Sequence, residues 1–163
     1  MRYWLIKSEP GEFSFDDLWA AKGRRTAWDG VHNYQARNFM RDGMRVGDLV
    51  LFYHSNADPT GVVGLCEIVR EAYPDPTQFE PGHPHFDPAS ERSSPRWMMV
   101  DVRATERLPR VVTLAELKSS PRLKSMQVVQ RGSRLSVTPV TQAQWNELLR
   151  LAEGGQKGPA KRL

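Results

Sequence analysis

Runs of aliphatic, β-branched and aromatic residues, too short for helices, predict five β-strands in this chain. They lie at Tyr3 to Lys7, Leu49 to Tyr53, Gly61 to Glu71, Trp97 to Val102 and Leu135 to Val140. The second and third runs flank a Pro59-Thr60-Gly61 turn, which predicts that they pair as a hairpin. Gly64 within the third run indicates a bulge or a barrel corner, because glycine weakens a regular strand.

Residues that cap helices mark the starts of the predicted helices. Ser14 with Asp17 three positions later has the spacing of a capping box. Asn33, Thr113 and Thr141 are further candidate caps. The predicted helices cover Phe15 to Lys22, Tyr34 to Asp42, a short stretch after Thr113 as far as Lys118, Pro121 to Val129, and an amphipathic closing segment after Thr141.

Five or six short strands with peripheral helices, and no regular alternation of strand and helix, favour an α+β barrel over a doubly wound sheet. A length of 163 residues fits one domain. We assign this domain to residues 1–153, and residues 154–163 are predicted to be a basic, disordered tail because glycine, proline and cations dominate there.

Charge gives little evidence for a partner. The formal net charge is +4, but Lys157, Lys161 and Arg162 in the tail supply most of it, so any attraction to nucleic acid must come from local patches. No apolar run approaches the length of a membrane span, and no signal-peptide pattern follows Met1. Together with the single cysteine, Cys66, these features predict a cytoplasmic protein without a disulfide.

The sequence contains no arrangement typical of a catalytic or metal site. His83 and His85 lie in a proline-rich loop from Pro74 to Pro95, a poor scaffold for a metal, and we interpret both as solvated loop residues. Cys66 lies in an apolar strand, where a reactive thiolate is disfavoured. Phosphate-binding glycine loops are also absent from the sequence.

The segment from Trp28 to Tyr34, WDGVHNY, concentrates aromatic residues in a predicted loop between two helices. Two interpretations remain open from these residues alone. Trp28 and Tyr34 either cover the apolar core, as large aromatics commonly do, or form a platform on which a nucleobase stacks. In the second case Asn33 offers donors and acceptors to the edge of a base.

The segments YWLIKSEP, WDGVHNYQARNFMR, GDLVLFYHS, GVVGLCEIV and RGSRLSVTPVT resemble the EVE domain family in order and spacing. They extend over most of the chain, from Tyr3 to about Leu151. The resemblance implies a PUA-like mixed β-barrel, related to the YTH, PUA and ASCH domains. It also implies a non-catalytic reader of modified bases, such as methylated or hydroxymethylated cytosine, in DNA or RNA.

The resemblance further implies which residues line the base site. Lys7 and Ser8 match a YTH segment at the edge of that site, and Trp28 matches one wall of an aromatic cage. The complete predicted base-binding set is Lys7, Ser8, Trp28, Gly30, Val31, Asn33, Tyr34, Tyr53, His54 and Ser55. Arg131 and Arg134 are predicted to bind phosphates beside it, because phosphate contacts supply affinity while base contacts supply specificity.

Two alternative functions remain. Related ASCH domains include ribonucleases, in which case His54 and Lys7 would act as base and acid. A barrel that senses a free nucleoside or another small molecule is the second alternative. The leading prediction is a monomeric reader that needs no cofactor or metal and has no membrane partner.

Overall fold

A computed structural model describes the backbone of residues 1–161 and the side chains of residues 1–154. Its centre is one mixed sheet of six strands in the order β2-β5-β4-β3-β1-β6. The strands are β1 (Tyr3–Ser8), β2 (Arg25–Trp28), β3 (Leu49–His54), β4 (Gly61–Pro74), β5 (Met98–Thr113) and β6 (Val137–Val140). Only β1 and β3 pair in parallel. Within this sheet β2 and β6 are the two edges and do not pair with each other, so the sheet that the sequence predicted as a barrel is not closed.

Within residues 1–161 four α-helices accompany the sheet, which confirms the predicted α+β class. They are α1 (Phe15–Ala20), α2 (Tyr34–Asn38), α3 (Leu114–Ser119) and α4 (Gln142–Lys161). Side chains alternate along the strands, so each face of the sheet has its own core. Phe52 belongs to the core that includes residues of α1 and α2, whereas Tyr53 belongs to the core that includes residues of α3 and α4.

The predicted helix caps are confirmed, because capping depends on a few neighbouring residues. Ser14 and Asp17 form both bonds of a capping box at α1, and Thr113 does the same for α3 with Glu116. The Asn33 side chain accepts from the Ala36 amide at the start of α2.

The ends of the first helices differ from the prediction. α1 ends at Ala20 instead of Lys22, and a 3-10 turn with Gly23 at a positive φ of 66° follows it. α2 ends at Asn38, and a π-helical turn, Phe39–Gly43, completes the predicted segment to Asp42. The predicted helix from Pro121 to Val129 is two separate 3-10 turns.

One strand was not predicted, because β2 is short and includes polar residues. Its first residue, Arg25, forms an ion pair with the nearly buried Asp101 of β5 at 2.8 Å, and antiparallel pairing extends from there to Trp28. The aromatic segment after Trp28 therefore lies between a strand and a helix. The prediction of a loop between two helices was wrong.

The predicted hairpin of β3 and β4 is confirmed, and so is a bulge at Gly64. A Cβ atom at Gly64 would overlap the ring of Phe15, which explains why no side chain fits there. β5 continues far beyond the predicted end at Val102.

Among residues 1–161 no helix is long and apolar enough to cross a membrane. The predicted tail, residues 154–163, overlaps the backbone of α4 as far as Lys161, and its side chains beyond residue 154 lie outside the described residues, so its assignment as a separate tail stays a prediction.

Candidate functional site

A cavity of about 630 Å³ opens beside the ends of β1 and β2. This volume lies within the roughly 300–1,000 Å³ typical of small-ligand sites. Of the ten predicted base-binding residues, the structure brings six into its lining: Lys7, Ser8, Trp28, Gly30, Val31 and Asn33. The other lining residues are Glu12, Phe13, Thr26, Ala27, Asp29, His32, His85 and Ser136.

Trp28 forms an aromatic wall of this cavity and is also part of the core, with 9% of its surface exposed. Phe13 and Phe52 meet its ring edge-on, at centroid distances of 6.1 and 5.5 Å. Edge-on contacts of this kind fix the orientation of an indole. The two interpretations of Trp28 are therefore compatible, since the same ring covers the core and lines the cavity.

Lys7 and Ser8 end β1 and also line the cavity. The Ser8 hydroxyl donates to the Phe13 carbonyl at 2.6 Å, which holds the following turn in place. The Lys7 ammonium donates to the Ser133 carbonyl at 3.5 Å, a long contact. Burial lowers the pKa of Lys7, because desolvation disfavours the charged amine.

Asn33 contributes only half of its amide to the cavity. Its side-chain oxygen already accepts from the Ala36 amide at 3.0 Å to cap α2. The NH₂ group is the part that remains available to a ligand, so Asn33 acts as a donor there. Val31, which is buried, supplies apolar surface on the same segment.

The proline-rich loop forms another wall, and a buried amide holds it together. Gln78 is fully buried and donates to the carbonyls of Asp75 and Trp97 at 2.6 and 2.8 Å. Its oxygen accepts from the Ser90 hydroxyl and from the Trp97 amide. Asp75 then connects this loop to the aromatic segment by accepting from the Gly30 amide at 2.8 Å.

His85 is a cavity residue, so its interpretation as a solvated loop residue was wrong. Its ring lies against the backbone of Gly30, where an added Cβ atom would come within 2.6 Å of Nε2. Gly30 has a φ of 73°, a conformation that glycine adopts readily. No local pattern in the sequence connects His85 with Gly30. The clue available was that a long loop inside a compact domain often carries function.

The rim of the cavity is a row of aromatic rings. His32 stacks on Trp97 with centroids 4.6 Å apart and planes 11° apart, and Tyr34 lies 4.9 Å from the same indole. Tyr34 is 52% exposed and is not in the cavity lining. Burial lowers the pKa of His32, and the nearby His85 lowers it further.

The structure does not bring Tyr53, His54 and Ser55 into the lining. Tyr53 is 3% exposed and packs in the core on the α4 face of the sheet. His54 accepts from the Phe15 amide through Nε2 at 3.1 Å, and burial lowers its pKa. The Ser55 amide donates to the Ser8 carbonyl at 3.0 Å. Ser55 is therefore bonded to the lining residue Ser8, and none of the three lines the cavity itself.

Arg131 and Arg134 are exposed and outside the lining. They flank Ser133, whose carbonyl accepts from Lys7. Both side chains therefore belong to the loop next to the cavity, and their role in phosphate binding stays a prediction.

Among the described residues the structure gives little support for a metal site or for a reactive thiol. No three His, Cys, Asp or Glu side chains among the described residues are grouped as a metal site. Burial raises the pKa of the Cys66 thiol.

A second cavity, of about 620 Å³, lies between the N-terminus and the π-helical turn, and none of the predicted base-binding residues lines it.

The mixed sheet of six strands agrees with the expected family, and a family model identifies that family. Residues 2–151 match the model described as EVE domain. The chain belongs to the EVE domain family. EVE membership and the PUA-like α+β fold expected from the sequence are thereby confirmed.

Several known proteins resemble this EVE domain. Human thymocyte nuclear protein 1 is 45% identical over 168 residues, which cover 93% of this chain and 74% of the relative. A crystal structure of human THYN1 protein in complex with 5-methylcytosine containing DNA is 45% identical, with a TM-score of 0.88 over 94% of this chain and 98% of that chain. An ASCH protein from Zymomonas mobilis, 11% identical with a TM-score of 0.54 over 93% of this chain and 99% of that chain, shares the fold alone.

Proposed function

We propose that this EVE domain binds DNA containing 5-methylcytosine and takes the modified base into the cavity between Trp28 and His85. The observation that carries the proposal is the crystallised complex of a 45% identical relative with such DNA. The cavity supports it independently, because an aromatic wall and a few polar groups are the means by which proteins hold an extruded base.

In this proposal Trp28 packs against the base, and the Asn33 amide donates to an acceptor on its pairing edge. Aromatic stacking contributes roughly 1–3 kcal/mol per base. A buried methyl group adds on the order of 1 kcal/mol, so Val31 and Phe13 give a moderate preference for methylated over plain cytosine.

The proposed function is recognition without catalysis. The acid–base pair considered from the sequence, His54 and Lys7, is not assembled around the cavity, since only Lys7 lines it. Moreover, His54 Nε2 accepts a backbone hydrogen bond from Phe15. A general base needs a free lone pair within reach of its substrate.

Arg131 and Arg134 are proposed to contact the phosphates on either side of the extruded base. Their positions beside the Lys7 edge of the cavity support this role. Each such contact adds affinity that falls as salt concentration rises, without distinguishing one base from another.

The test is fluorescence anisotropy with duplexes that are identical except for one position, carrying cytosine, 5-methylcytosine or 5-hydroxymethylcytosine, and with the RNA equivalents. We expect methylated DNA to bind about fivefold more tightly than unmodified DNA, the order of one buried methyl group. Asn33→Asp, which keeps a capping oxygen and removes the NH₂ donor, should lose affinity, whereas Asn38→Asp should not. Equal binding of all duplexes would overturn the proposal.

A further inference from the structure

A chain of hydrogen bonds connects a buried carboxylate to the imidazole in the cavity wall. Asp75 is 0% exposed. Its Oδ1 accepts from the Thr77 amide at 2.9 Å and from the Thr77 hydroxyl at 2.5 Å. The Thr77 oxygen lies 3.2 Å from Nδ1 of His85. Asp75, Thr77 and His85 thus form a relay from the core of the loop to the cavity wall.

The direction of each bond in this relay follows from counting hydrogens. Asp75 accepts from three groups, the third being the Gly30 amide, and each of these donors takes a lone pair of the carboxylate. An ionised carboxylate only accepts, so the single Thr77 hydroxyl hydrogen points to it. The Thr77 oxygen is left to accept, and Nδ1 of His85 must therefore carry a proton.

A neutral imidazole with a proton on Nδ1 has its lone pair on Nε2. Among the described residues the buried side-chain nitrogen and oxygen atoms without a hydrogen-bond partner are Arg110 Nε and Ser133 Oγ. His85 Nε2 has no partner either, so it is accessible at the surface of the cavity. The part of the cavity wall formed by His85 thus presents a hydrogen-bond acceptor.

An acceptor at this place distinguishes bases that a methyl pocket alone cannot. Thymine carries the same 5-methyl group as 5-methylcytosine and is abundant in any DNA. The two bases differ at C4, where cytosine has an amino donor and thymine has a carbonyl acceptor. A group that accepts from the amino group faces the thymine oxygen lone pair to lone pair, which leaves both unpaired.

We propose that His85 Nε2 accepts from the exocyclic amino group of the bound 5-methylcytosine, and that Asp75 and Thr77 hold His85 in the tautomer that excludes thymine. This inference rests on the proposed function, since it assigns a role within the same cavity. His85 is then the specificity-determining residue, and Thr77 is a positioning residue.

The experiment compares Thr77→Val, which removes the hydroxyl, with Thr77→Ser, which keeps it. Affinities are measured at pH 8 for duplexes with 5-methylcytosine, thymine or cytosine opposite an abasic site, so that extrusion costs every base the same pairing energy. Thermal unfolding verifies that each variant is folded. A third variant, His85→Phe, retains a ring without the acceptor.

We expect the wild type and Thr77→Ser to prefer 5-methylcytosine over thymine at least tenfold. Thr77→Val should reduce this ratio to about threefold or less, mainly through tighter thymine binding, and His85→Phe should weaken 5-methylcytosine binding about tenfold. Nitrogen NMR of the imidazole should show Nδ1 protonated in the wild type and a mixture of tautomers in Thr77→Val.

The two proposals fail in different ways. A wild type that binds 5-methylcytosine and thymine equally, and both better than cytosine, overturns the role of His85 and leaves methyl recognition intact. An unchanged ratio in folded Thr77→Val overturns the role of Thr77 and of the relay. Equal binding of 5-methylcytosine and plain cytosine overturns the proposed function, and this inference with it.

Discussion

The two segments that meet beside the cavity are held in place by different forces. The aromatic segment, residues 28–34, is fixed by apolar burial of Trp28 and Val31 and by the cap of α2. The proline-rich loop, Pro74 to Pro95, is fixed by hydrogen bonds to the buried polar groups of Asp75 and Gln78. The stabilisation from apolar packing is roughly proportional to the apolar area buried, whereas a buried polar group requires a hydrogen-bond partner. The first wall should therefore tolerate conservative changes of shape, and the second should not tolerate loss of a single partner.

The largest effect is expected for Trp28. Trp28→Ala should lower the free energy of unfolding by about 3–5 kcal/mol, the usual cost of emptying a large aromatic site, and should abolish binding of methylated DNA. Trp28→Phe keeps an aromatic ring in the core, so its stability loss should be smaller and its binding defect easier to interpret.

Urea unfolding and anisotropy measure these two effects. Trp19→Ala is the matched control, because Trp19 is a half-buried tryptophan outside this cavity. Unchanged affinity in a folded Trp28→Phe variant, together with unchanged affinity in the control, would argue against a stacking role.

Gln78→Leu tests the polar wall with a side chain of similar size. It leaves the Trp97 amide and two carbonyls without their partner, so we expect the free energy of unfolding to fall by about 2–4 kcal/mol. Gln35→Leu on the exposed face of α2 should change stability by less than about 0.5 kcal/mol. If Gln78→Leu lowered the free energy of unfolding no more than Gln35→Leu does, the polar wall would not be the sensitive one.

Asp75→Asn tests the contact between the two segments. An amide replaces one carboxylate oxygen with a donor, so the Gly30 amide or the Thr77 group loses its acceptor, at an expected cost of about 1–3 kcal/mol. Hydrogen exchange of the Gly30 amide should accelerate, since this bond holds it at 2.8 Å. Unaltered exchange in the variant would show that the two walls are positioned independently.

The smallest effect concerns the titration of His32. Its pKa is lowered in the folded protein by burial and by His85, whose ring centroid lies 6.0 Å away. A lowered pKa means that the contribution of His32 to stability is complete above the pKa of the unfolded chain and is lost as pH falls from there through the lower pKa of the folded protein. His85→Gln should raise the His32 midpoint measured by NMR. A midpoint that does not move would exclude coupling between the two rings.

How far the sequence could predict this molecule depends on the range of the interactions. Caps at Ser14, Asn33 and Thr113 involve neighbours within three residues, so their patterns were visible in the sequence. The strand β2 depends on Arg25 reaching Asp101 across the sheet, a contact that no local pattern reveals.

The residues of the candidate site also separate into those that a local sequence pattern predicts and those that depend on long-range contacts. Trp28, Val31 and Asn33 lie in one continuous segment whose composition attracts attention. His85 was missed because proline and histidine in a long loop are typical of solvated chain, and its position depends on Gln78 and Asp75, which become buried only in the folded protein. Polar residues in such a loop are ambiguous until their partners are known.

The close approach of Gly30 to His85 has a consequence for how this domain can change over evolutionary time. Any residue with a Cβ atom at position 30 would collide with the imidazole, so position 30 cannot gain a side chain while the ring of His85 keeps its place. Among EVE domains, a ring at position 85 should occur together with glycine at position 30, and a larger residue at position 30 with a small one at position 85. A branch of the family that exchanges both residues at once would thereby acquire a different preference for the base it admits.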